Sequence, residues 1–189
     1  MTEVLQDILV APPGYRSREV GLFVAQMDEQ SQRLTDDLAG LTPEEAAWQP
    51  APGMNTIGML LAHIAIVEVF WVQIGLAQEP ERIEGVLGIG VDDDGIPQPA
   101  GGSPPATLAA RDLSFFRDLL ERARAHTKQK TAGLPDEDLD IVVRRRRRSG
   151  LEEEFNKRWV LYHMLEHEAG HYGQINLLRH LYKARIGGA

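Results

Sequence analysis

Apolar residues recur at helical spacing over four long stretches of the chain. Between Ser17 and Leu38 the apolar positions are Val20, Phe23, Val24, Met27, Leu34 and Leu38, which predicts a first helix closed by Gly40. Thr42-Pro43-Glu44-Glu45 then reads as an N-cap, a proline at the first helical position and acids in the first turn. That piece is short, because Pro50 and Pro52-Gly53 end it. The next helix is predicted over Thr56–Ala77, with Asn55 or Thr56 as its cap. At about 100° per residue, Met59, Leu60, Ile66, Val67, Phe70 and Ile74 fall within about 60° of His63, so His63 is expected to point inward from an apolar stripe. Residues 79–103 are punctuated by glycine and proline and predict a long loop, with or without a short extra element. Its Asp92-Asp93-Asp94-Gly95 lacks the closing glutamate of a calcium loop and reads as a solvated turn. A third long helix is predicted over Thr107–Thr131, with Leu108, Leu113, Phe116, Leu119 and Leu120 on its inner face. Asp136–Gly150 is a connection in which Ile141-Val142-Val143 suggests a short strand, followed by the run Arg144–Arg148. The last helix is predicted over Leu151–Ala184, with three glutamates at its start and basic residues at its end, as the helix dipole favours. Four long helices and no convincing set of strands predict an all-α fold, a four-helix bundle, in a single domain over 1–189.

Composition narrows the chemistry. The 189 residues contain no cysteine, which excludes disulfides, thiolate metal sites, iron–sulfur clusters and a cysteine nucleophile. The formal net charge of −8 argues against a nucleic-acid binder, which is usually basic. Met1–Asp7 carries acids where a signal peptide needs lysine or arginine. The most apolar stretch, Leu60–Leu76, holds His63, Glu68 and Gln73, so it reads as a buried helix rather than a membrane span. The expected location is the cytoplasm.

The last predicted helix carries the candidate chemistry. His163, His167 and His171 recur at steps of four and share half the helical wheel with Trp159, Leu177, Leu178 and Leu181, the half expected to face the core. Gly170 lies there too, and a mid-helix glycine costs about 1 kcal/mol relative to alanine, so a close approach is expected at that point. Imidazoles four residues apart can hold one ion, and zinc, nickel or iron(II) accepts neutral imidazole nitrogen. His163 and His171 are about 12 Å apart along the axis and cannot share an ion, so the pair is 163/167 or 167/171, and periodicity does not choose. His63 is the only other histidine central to an apolar stripe; His126 and His180, near helix ends, are expected to be wetter.

The segments Pro52-Gly53-Met54-Asn55-Thr56-Ile57-Gly58, Leu60-Leu61-Ala62-His63-Ile64 and His167-x-x-x-His171-Tyr172-Gly173-Gln174-Ile175 resemble the DinB/YfiT superfamily of metalloenzymes. The resemblance covers about Ser17–Tyr182, weakens in the 79–103 loop, and is most specific in the His-x-x-x-His-x-Gly-Gln segment. It implies a four-helix bundle with a long loop between the second and third long helices. It also implies a metal held by His63, His167 and His171, which chooses the second histidine pair. Gln174 and His163 are then expected to support the ligands without binding the ion. Three protein ligands leave a coordination position open for water or a thiol. Its relatives use low-molecular-weight thiols such as bacillithiol or mycothiol, which implies a transferase or isomerase with zinc or nickel, then iron or manganese, as cofactor. The expected partners are a small-molecule substrate, such a thiol and a second copy in a homodimer, with no nucleic acid and no membrane.

Two other readings stay open. His167-Glu168-Ala169-Gly170-His171 matches the HExxH pattern of zinc hydrolases, in which the glutamate is the general base. Against it, no acid follows Glu168 to supply a third ligand, and Gln174 stands where the longer hydrolase pattern has glycine. The other reading is a non-catalytic, metal-stabilised stress-response bundle. Gly170 and Arg144–Arg148 match nothing in the superfamily. The arginines read either as a solvated connection paired with Glu152-Glu153-Glu154 or as a cationic rim for an anionic cosubstrate.

Overall fold

The computed structural model describes residues 8–147 and 149–187 and is mostly helical. The Met1–Asp7 reading and Arg148 lie outside the described residues. Helix α1 spans Arg18–Asp37; Ser17 caps it by accepting from the Val20 amide, and Gly40 beyond its end has φ +76°. The short α2, Pro43–Ala47, is capped by Thr42, whose hydroxyl accepts from Glu45 N. Helix α3, Ile57–Trp71, is capped by Thr56 and continues as π-helical turns over Val72–Ala77. The widened turns coincide with Gly75, where an added Cβ would lie 2.9 Å from a Val160 methyl. Ile57–Ala77 is long and apolar enough to cross a membrane by length and composition, but most of it is buried against the rest of the chain.

The 79–103 segment contains one short helix, α4, Ile83–Leu87. Helix α5 covers Leu113–Thr131. It starts later than the periodicity predicts, because Ala110 is left-handed (φ 59°) and Asp112 takes the cap, accepting from Phe115 N. The strands β1, Val142–Arg146, and β2, Glu152–Asn156, pair antiparallel, with Arg144 opposite Glu154, Arg145 opposite Glu153 and Arg146 opposite Glu152. This corrects the predicted start of the last helix. The three glutamates sit in a strand facing arginines rather than in a first helical turn. Helix α6 begins only at Lys157 and runs to Gly187, with Asn156 Oδ1 accepting from Trp159 N.

The long helices α1, α3, α5 and α6 pack side by side, α3 against α5 and α6, and α1 against α6. Leu34, Ile57, Leu61, Phe116 and Leu119 fill one half of the core; Val20, Met27, Val72, Leu139 and Leu161 fill the other. Helix α6 is rotated from the predicted orientation. Its buried residues are Lys157, Val160, Leu161, Met164, Glu168, Ile175, Leu178 and Tyr182, whereas Trp159, Leu177 and Leu181 are exposed. The buried face is centred about 100° from His163 on the wheel. Gly170 is exposed with nothing within 4 Å of an added Cβ, so the close approach expected there occurs at Gly75 instead.

A three-histidine candidate metal centre

Helices α3 and α6 bring His63, His167 and His171 together, with one ring nitrogen from each within 4.8 Å of the others. Nε2 of His167 lies 3.2 Å from Nε2 of His63 and 3.1 Å from Nε2 of His171. The other nitrogens of the outer pair are engaged: His63 Nδ1 is 2.7 Å from Asp94 Oδ2, and His171 Nδ1 is 2.8 Å from Gln174 Oε1. Both partner oxygens are acceptors, so each Nδ1 donates and each Nε2 presents its lone pair to the centre. Burial pushes the His167 imidazole down to about 3, helped by the neighbouring histidines, and burial also lowers His171 against the opposing pull of Gln174. Neutral rings are what a cation needs.

The donor set fits a divalent ion. Two imidazole nitrogens at about 2.05 Å from a tetrahedral centre lie about 3.3 Å apart, close to the two Nε2 separations observed here. Without a cation, His167 Nε2 can donate one proton to only one of the two lone pairs that face it, from His63 and His171; an ion satisfies all three nitrogens.

Asp94 was not foreseen. The predicted solvated turn is wrong at this residue: Asp94 is buried, with Oδ2 on His63 and Oδ1 accepting from Ile96 N. The loop folds over α3 because Ile89, Val91 and Ile96 pack on the core, which carries the last acid of the triplet inward. The acid–Gly turn signal was legible; its partner lies 31 residues away.

His163 stands outside the cluster. Its ring stacks on Trp159 at 4.7 Å, meets Trp71 edge-on, and its Nδ1 is 3.3 Å from Glu166. Its contact with the site is a ring contact with His167, with centroids 5.6 Å apart. Gln174, by contrast, bonds a member of the cluster directly. His126 and His180 do not join it.

Glu168, the HExxH glutamate, is buried in a separate network. Its Oε1 accepts from Ser31 Oγ at 2.6 Å and its Oε2 from Arg124 Nη2 at 3.1 Å. Arg124 also bonds both Glu68 oxygens and Asp28, and Thr127 Oγ1 donates to Glu68 Oε1 at 2.6 Å. Burial raises the Glu168 carboxyl to about 7, against the opposing charge of Arg124. Burial works against the charge on Arg124, but Glu68 and Glu168 outweigh it and hold the guanidinium cationic.

Arg144, Arg145, Arg146 and Arg147 each face a carboxylate. Arg144 bonds Glu154 at 2.7 Å, Arg145 bonds Glu153 at 2.6 Å, Arg146 lies 3.7 Å from Glu152, and Arg147 also bonds Glu153.

The profile of the family described as Mycothiol-S-transferase matches residues 22–184. The chain belongs to that family. The family is DinB/YfiT-like, as the histidine and Gly-Gln motifs implied, and makes this a member of a group of thiol-related transferases. No curated protein matches. Among solved structures, a conserved protein from Enterococcus faecalis superposes with a TM-score of 0.61 at 19% identity, covering 85% of this chain and 94% of that one. That likeness concerns the fold alone. A DinB-like protein from Bacillus cereus gives a TM-score of 0.49 at 19% identity, over 92% of this chain and 95% of its own.

Proposed function

We propose that this protein is a divalent-metal-dependent transferase that joins a low-molecular-weight thiol, mycothiol or a close analogue, to a small electrophile, on a four-helix bundle of the DinB/YfiT type. His63, His167 and His171 would hold the ion, with zinc or nickel the first candidates. The observation that carries this reading is the convergence of three Nε2 atoms, two of them aimed by Asp94 and Gln174. A divalent ion in that place supplies Lewis acidity that favours the thiolate form of a thiol near neutral pH. The chain has no cysteine, so the nucleophilic sulfur must come from a cosubstrate. The sulfur forms a bond to the electrophilic carbon, the leaving group departs with its electron pair, and the thiol proton passes to solvent. Asp94 and Gln174 keep the His63 and His171 rings oriented throughout.

A hydrolase of the HExxH kind needs Glu168 free to take a proton from water. Both oxygens of Glu168 are occupied by Ser31 and Arg124, which favours transfer over hydrolysis. The test is elemental analysis of untagged protein together with conjugation of mycothiol to monochlorobimane, before and after chelation. The expected result is one ion per chain and conjugation that disappears with the chelator and returns with metal. Substoichiometric metal after loading, or conjugation indifferent to chelation, would sink the reading; peptide cleavage lost in Glu168→Gln would restore the hydrolase.

A further inference from the structure

Helix α3 is buried on every side but one. Within Ile57–Trp71 only His63, Val67 and Phe70 are partly exposed, and Ile74 continues the line into the π-helical turns. These four side chains fall within about 60° on the wheel, so they form one stripe. At about 1.5 Å per residue, Phe70 lies about 10 Å and Ile74 about 16 Å from His63 along the axis. The stripe therefore starts at the histidine cluster and runs away from it over an apolar floor. Trp71 and Trp159 each pack on His163 and on Phe155 of β2.

The far end opens into a cavity of about 1010 Å³ lined by Phe70, Ile74, Val91 and β1 with its arginines. Arg145 lies over the Phe70 ring at 5.1 Å and the Trp71 ring at 5.0 Å, which fixes its guanidinium at the end of the floor. Arg145 and Arg147 both bond Glu153, so on this side two cations share one carboxylate. The other arginines are matched one to one, Arg144 with Glu154 and Arg146 with Glu152. On the opposite wall Glu79 is held by Lys130 at 2.6 Å, and Glu81 is exposed. At the end of the floor, among the described residues, two guanidinium groups, Arg145 and Arg147, thus share the single carboxylate of Glu153, with Glu81 also lining the cavity.

We infer that this stripe is the binding track for the electrophile, and that the electrophile is a carboxylic acid with an apolar aryl or alkyl body. Its reactive carbon lies at the histidines, its body on Val67, Phe70 and Ile74, and its carboxylate at Arg145 and Arg147, about 10–16 Å from the reacting atom by the helical rise. The carboxylate is unchanged by the transfer. The inference rests on the transferase reading for the reaction at the head of the track, but the track itself is a statement about binding.

The experiment is calorimetric titration of the folded protein with phenylhexanoate and with phenylhexanol, which share a body and differ in the terminal charge. The wild type should bind the carboxylate about tenfold more tightly than the alcohol, as one charge-assisted contact allows, and the preference should shrink as salt is raised. The variant Arg145→Gln/Arg147→Gln/Glu153→Gln leaves no carboxylate unpaired at this point. With folding verified by circular dichroism, it should bring the two ligands to within about twofold while keeping affinity for the alcohol. Arg145→Lys should retain the preference, and Val67→Trp, which fills the middle of the track, should weaken both ligands. Equal affinities in the wild type, a preference that survives in the triple variant, or indifference to Val67→Trp would each overturn the track. None of these measurements needs thiol or turnover. Loss of the conjugation reaction with an intact carboxylate preference would therefore refute the transferase reading alone, and the converse would refute the track alone.

Discussion

Asp94 and His163 both lie next to members of the histidine cluster, yet they act differently. Asp94 bonds His63 directly, whereas His163 is held by two tryptophans and a glutamate. Removing a ligand removes a bond to the ion; removing a ring-orienting acceptor costs typically ~10–100-fold in affinity. His63→Ala, His167→Ala and His171→Ala should therefore each abolish stoichiometric metal in elemental analysis. Asp94→Asn should keep the ion with an affinity about 10–100-fold lower in a chelator competition. His163→Ala should keep it at near wild-type affinity and lose about 0.5–1.5 kcal/mol of stability from its aromatic contacts. Metal loss in His163→Ala with retention in His171→Ala would reverse the assignment.

Two glycines on neighbouring helices separate propensity from packing. Gly170 has open space around a built Cβ, while at Gly75 that Cβ would lie 2.9 Å and 3.3 Å from the two Val160 methyls. Gly170→Ala should raise unfolding stability by up to about 1 kcal/mol, the helix-propensity difference. Gly75→Ala should lower it by about 1–3 kcal/mol through overpacking, so denaturant midpoints should move in opposite directions. The β1–β2 ribbon carries a pH signature of its own. The bond from Arg147, with help from Arg145, holds the Glu153 carboxyl below its ordinary value of 4.5. A carboxyl whose folded value is depressed adds stability that is full above 4.5 and disappears as pH falls through the folded value. Urea unfolding from pH 7 down to pH 3 should show this loss, and Glu153→Gln should show a shallower decline over the acidic part of that range. An identical slope in the variant would remove Glu153 as a contributor.

The Arg124 cluster draws one or more groups from each long helix: Asp28 and Ser31 from α1, Glu68 from α3, Arg124 and Thr127 from α5, and Glu168 from α6. It cross-links the helices beside the histidines and fixes Glu168 next to His167. Arg124→Met fills the volume but leaves Glu68 and Glu168 buried without their cation. It should destabilise by about 3–5 kcal/mol, with the loss partly recovered when Glu68 and Glu168 are also changed to glutamine. Chemical denaturation of the single and triple variants tests this, and a single variant as stable as wild type would show that the cluster contributes no net stability.

The sequence by itself determined the helices, most of their caps and the residues worth testing as ligands. Those features depend on neighbours three or four positions apart, as with Ser17, Thr42 and Thr56 at helix starts or His167 and His171 on one turn. It went wrong where the deciding partner is elsewhere. Glu152–Glu154 carry the charges of a helix start, but arginines across the ribbon claim them for a strand. Asp94 carries the chemistry of a wet turn until the loop packs on α3. Helix α3 is apolar all round, so periodicity could not tell that His63, Val67 and Phe70 lie on its one open line. Which of α6's apolar residues are buried was decided by α1, by α3 with its π-helical continuation and by β2, which pack on it, because burial is set by what covers a side chain and not by the side chain itself.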